Sequence, residues 1–87
     1  MALAEFASRS NGEIFISDEI TGTGSEADTA HGLADSEGTA VTPSLVVAFI
    51  TQKTTGTSIA LVEGTHDATN CKFSLEAQGK YRIIAFR

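Results

Sequence analysis

The sequence predicts an all-β fold, a small antiparallel β-sandwich or barrel of jelly-roll-like form preceded by an extended N-terminal arm. Short apolar runs recur roughly every ten residues between glycine-bearing turns, and no stretch sustains the apolar repeat of about 3.6 residues that a helix needs. One run, Pro43 to Ile50 (PSLVVAFI), holds six apolar residues without interruption. Alternation along a strand sends Leu45, Val47 and Phe49 to one side and Val46, Ala48 and Ile50 to the other, so both sides of this strand are expected to be dry.

Taken in order, the residues from Ala2 to Asn11 are small or polar apart from Leu3 and Phe6, which predicts an arm (1–11) ahead of a single β-domain (12–87). EIFIS (13–17) reads as a short strand closed by Asp18 and Glu19. Two edge-like strands are expected near 20–23 and 26–31, around a turn at Gly24 and Ser25. Residues 33–42 read as a surface loop that delivers the chain into Pro43, a residue tolerated where no ladder donor is required. The central strand then runs to about Gln52, and TSIALVE (57–63) returns as its partner, so 44–63 is expected to form a hairpin. TNCKFSLE (69–76) alternates, with Cys71, Phe73 and Leu75 inward and Asn70, Lys72, Ser74 and Glu76 toward water. Ala77 to Gly79 turns the chain into KYRIIAFR, closing a second hairpin over 69–87.

This pattern assigns Ile14, Ile16, Leu45, Val47, Phe49, Ile59, Leu61, Cys71, Phe73, Leu75, Tyr81 and Ile83 to the core. The remaining apolar set, Val46, Ile50, Val62, Ile84 and Phe86, is the candidate subunit interface. A chain of 87 residues has little material to cover a sheet twice. Domains of this size commonly lean on staples or partners. Cys71 is the sole cysteine, which excludes an internal disulfide, and Cys71, His31 and His66 form no zinc-ligand spacing. A homo-oligomer is the expected source of the missing stability.

Charge narrows the partners. Residues 1–40 carry eight acids and one base, Arg9, and residues 41–87 carry three acids and five bases, so the halves stand at −7 and +2, in keeping with the net charge of −5. An acidic surface repels phosphate, and no nucleic-acid partner is expected. No run approaches the roughly 18 apolar residues of a membrane helix, and the N-terminus lacks a basic start followed by an apolar stretch. The expectation is a chain without a membrane partner, made in the cytoplasm.

Nothing in the motifs points to catalysis. GTG at 22–24 lacks the Gly-Lys-Ser/Thr ending of a phosphate loop, and no GxSxG is present. His31, His66 and Asp67 lie in turn-like contexts without ligand spacing, and the acidic pairs match no calcium loop. The expected chemistry is therefore that of a non-enzyme with no cofactor and no metal, in which Cys71 serves as a small core hydrophobe.

Four segments, TAHGL (29–33), VTPSLVVA (41–48), EGTHDATN (63–70) and KYRIIAF (80–86), carry a resemblance. Together they are similar to a β-module of small virion proteins of tailed bacteriophages, found also at the tips of some phage fibres. The resemblance spans about residues 20–87, and its short motifs mark turns and strand starts. It implies an oligomer, a trimer foremost, on the exterior of a virion. One form is a capsid decoration (cement) protein that contacts the major capsid protein, with Leu3 and Phe6 as the shell-contacting arm. The alternative is a receptor- or glycan-binding fibre tip that presents His31, His66 and Asp67. The loop ADSEGTAV after Leu33 departs from the tighter link of the module.

Overall fold

In the computed structural model, which describes residues 9–52 and 61–87, the regular elements are all strands. They are β1 (Arg9–Ser10), β2 (Ile14–Ile16), β3 (Ile20–Thr21), β4 (Glu26–Ala30), β5 (Leu45–Gln52), β6 (Val62–Glu63), β7 (Asn70–Ser74) and β8 (Lys80–Phe86). Two antiparallel sheets result, a larger one of β1, β2, β3, β5 and β8 and a smaller one in the order β4-β7-β6. They pack as a small β-sandwich. The final residues of the expected arm, Arg9 and Ser10, pair with Ile16 and Phe15 at the edge of the larger sheet.

The spine of the larger sheet is β8. On one edge it pairs with β5, from Leu45↔Phe86 to Gln52↔Lys80. On the other it pairs first with β2, as in Phe15↔Ala85, and then with β3, as in Ile20↔Tyr81. The register slips by one residue between β2 and β3, a bulge in which Ser17 takes over the ladder. Its backbone N–H donates to the Ile83 carbonyl (2.9 Å), and its Oγ accepts the Ile83 N–H (2.8 Å).

The core lies between the sheets. Phe15, Tyr81, Ile83 and Ala85 reach it from the larger sheet, Cys71, Phe73 and Leu75 from β7 and its end, and Leu33 from the loop after β4. The rings of Phe73 and Tyr81 meet across it at 6.2 Å between centroids. Val46, Ala48, Ile50, Ile20, Val41 and Leu61 pack around this cluster. The expected inward residues Cys71, Phe73, Leu75, Tyr81 and Ile83 are thus in place, whereas Leu45, Val47 and Phe49 are exposed and Ile14 and Ile16 are only partly covered. Ile59 lies outside the described residues.

The hairpin expected over 69–87 is not formed, and the turn and residues 57–60 of the one expected over 44–63 lie outside the described residues. Among the described residues β6 pairs with β7 and not with β5, and β7 and β8 belong to different sheets. The β7–β8 connection instead carries the chain from one layer to the other. At the β7–β8 corner, Gly22 crosses against the turn: its N–H donates to the Gly79 carbonyl (2.7 Å) and its carbonyl accepts from Gln78 N–H (3.3 Å). A Cβ at Gly22 would stand 2.5 Å from the Glu76 carbonyl oxygen, so this crossing requires glycine. The stretch after Leu33 is likewise more than a loose loop. Ala34 and Ala40 form a bridge, Gly38 closes the tip with φ of 84°, and the Asp35 carboxylate accepts the N–H groups of Glu37 (2.9 Å) and Thr39 (3.0 Å).

Candidate interaction face

The register of the larger sheet decides which side chains share its outer face, because directly opposed residues project the same way. The first row is Ile14, Phe86 and Leu45, the second is Ile16, Ile84 and Val47, and the third sets Arg82 beside Phe49. Seven of these eight side chains are apolar. Leu45 is 55% exposed, Val47 45%, Phe49 38% and Phe86 37%. With roughly 150–200 Å² for each fully open residue, the face presents on the order of 400 Å² of apolar surface, in the range where the largest patch on a small protein is often an interaction site. Removing that area from water at about 25 cal/mol per Å² is worth about 10 kcal/mol before any cost of association.

The charges around this face are spent locally. Arg87 pairs with Glu13 (3.7 Å) beside the first row, and its Nη1 donates to the Ala34 carbonyl (2.9 Å). Lys80 pairs with Glu19 (3.8 Å) beyond the third, where Thr51 also donates to Glu19 (2.6 Å). Arg82 donates through Nε to the Ser17 carbonyl (2.9 Å). These contacts leave an apolar centre within a rim of paired charges.

Among the expected interface residues, Ile84 and Phe86 stand on this open face. Val46 and Ile50 are turned inward, opposite Ala85 and Tyr81, where they pack on the core and are partly buried. Val62 is 56% exposed but belongs to the smaller sheet. Leu3 and Phe6 lie outside the described residues. The sequence reading placed Ile14, Ile16, Leu45, Val47 and Phe49 in the core because β2 and β5 are apolar on both parities, and neither strand alone says which side is covered. The signal lay in β8, where Lys80 and Arg82 mark the wetter parity and carry Ile84 and Phe86 with them.

At one end of the sandwich the two histidines are fastened to backbone. His31 is fully buried, with Nδ1 accepting the Leu33 N–H and Nε2 donating to the Asp67 carbonyl, both at 2.9 Å. His66 accepts the Lys72 N–H at Nδ1 (2.9 Å), donates from Nε2 to Glu63 (2.6 Å) and lies against the Phe73 ring. Each imidazole is held as the Nε2-protonated tautomer, with both nitrogens engaged. The Asp67 carboxylate accepts the N–H groups of Asn70 (2.7 Å) and Thr69 (2.8 Å), and these bonds, aided by the Lys72 charge, hold its pKa below the ordinary value of 3.8. Nearby, Ala30, Leu33, Ala34, Ala40, Ala68 and Thr69 line an open depression of about 280 Å³. Burial, with the charges of Glu63 and Asp67, pushes the Cys71 thiol up to about 11, as suits a packed and unreactive sulfur. Among the described residues no cluster of His, Cys, Asp or Glu could hold a metal ion.

No family model matches this chain, and comparison with curated proteins and with solved structures returns no significant match.

Proposed function

We propose that the chain is a structural component of a tailed-phage virion, a capsid decoration (cement) protein that sits as an oligomer on the exterior of the shell, in contact with the major capsid protein. The observation that carries this reading is the open apolar face of the larger sheet, on a domain whose His31, Asp35, His66 and Asp67 side chains hold its own backbone. An assembling part needs such a surface and needs no reactive group. The virion and the trimer come from the resemblance of residues 20–87; the apolar face supports self-association on its own. The fibre-tip alternative asks His31, His66 and Asp67 to engage a ligand, but their ring nitrogens and carboxylate already serve the protein's own backbone and Glu63.

Co-expression with the major capsid protein of the genome that encodes this chain tests the assignment. The expected result is co-sedimentation with assembled shells and added density at symmetric positions on their outer surface. Shells that sediment bare would sink it. A variant lacking residues 1–8 keeps all eight described strands and should bind those shells more weakly if Leu3 and Phe6 make the contact.

A further inference from the structure

We infer that the outer face of the larger sheet is where two copies of this chain meet, sheet against sheet across a twofold axis. This rests on the preceding reading only in the premise that copies of the chain associate, and it sets a pair in place of the trimer that the resemblance implies.

Area, charge and row order single out a second copy as the occupant. A standard stable interface takes about 800 Å² from each partner, of which a little over half, about 450 Å², is apolar. The face supplies on the order of 400 Å² of apolar surface, and its rim of Glu13, Ser44, Arg82 and Arg87 can supply the polar remainder. Because the bordering charges are already paired with each other or with backbone, a strongly charged partner gains nothing here. The fitting surface is itself apolar, strand-ribbed and neutral at its centre, which describes this same face.

The rows also select an orientation. A twofold axis along the strands would stack each row on its own copy and bring Arg82 against Arg82. An axis across the strands lays the second row on itself and the third row on the first. Arg82 of one copy then lies over Phe86 of the other, where a guanidinium on an aromatic face is favourable, and the contact occurs twice.

Sedimentation equilibrium at micromolar concentration, with circular dichroism as the check on folding, tests the inference. The chain should sediment at twice its 9.1 kDa. Val47→Asp and Leu45→Lys should sediment at the single mass with an unchanged spectrum, and Val62→Asp, equally exposed on the other sheet, should remain paired. A single mass for the unaltered chain overturns both this interface and the premise of self-association. An assembly that survives Val47→Asp overturns the interface alone, and a threefold mass overturns the twofold geometry. Should the charged variants fail to fold, Val47→Cys supplies a second readout, since buried Cys71 gives little background to a maleimide. Its labelling should slow at least tenfold as concentration rises through the association range. A rate independent of concentration would count against the face.

Discussion

Ser17 does the work of a backbone group with a side chain. Where the register slips between β2 and β3, its hydroxyl accepts the Ile83 N–H and donates to the Asp18 carbonyl (2.8 Å), in a position only 2% exposed. Ser17→Ala would leave the buried Ile83 N–H without this acceptor, a loss of about 1–3 kcal/mol. Chemical denaturation should show that loss with the slope unchanged; an unaltered midpoint would mean that the bulge relaxes onto another acceptor. None of this was legible in the sequence, because the partner of Ser17 lies 66 positions along the chain. The inward setting of Cys71 was legible, since local alternation suffices to assign it. The histidines fall between these cases. Their turn context agrees with the hydrogen bonds each ring makes to backbone, but the contact of His31 with the distant loop at Asp67 is reported by no local pattern.

Among the elements, strands were legible and their partners were not. β5, β7 and β8 lie close to where apolar runs and turn residues put them. Pairing failed at the turn between β7 and β8, because a short glycine-bearing link between two strands is compatible both with a hairpin and with a corner between layers. What separates the two at residues 75–79 is the backbone of Gly22 running against the turn, a contact from far upstream. The same corner holds Gln78 at φ of 70°, a left-handed setting that costs a side chain roughly 1 kcal/mol. Gln78→Gly should therefore stabilise the protein by a fraction of that amount, after glycine's added unfolded-state entropy is set against it, and raise the melting temperature slightly. A lowered melting temperature would show that the Gln78 side chain contributes more than its conformation costs.

For the molecule as a whole, the sandwich was legible from the spacing of its strands, but the orientation of β5 was inverted. Six consecutive apolar residues carry no parity information, and the covered side follows from Ala85, Ile83 and Tyr81 on the partner strand. Acid stability is also a whole-molecule property, and Asp67 bears on it. Its folded pKa lies below 3.8, so its contribution is fully present above that pH and is lost as the pH falls through the folded value. Asp67→Ala should melt earlier than the parent chain at neutral pH, and the gap should close at pH values well below 3.8; a gap that persists there would assign the effect to packing instead. The place of β8 bears on how the protein is made. Every other strand of the larger sheet except β1 hydrogen-bonds to it, and it comes last among the described strands. A nascent chain therefore cannot build that sheet while residues 80–86 remain in the ribosomal exit tunnel. A product cut short before Lys80 lacks the strand to which β2, β3 and β5 are bonded, and with it the continuous outer face of that sheet.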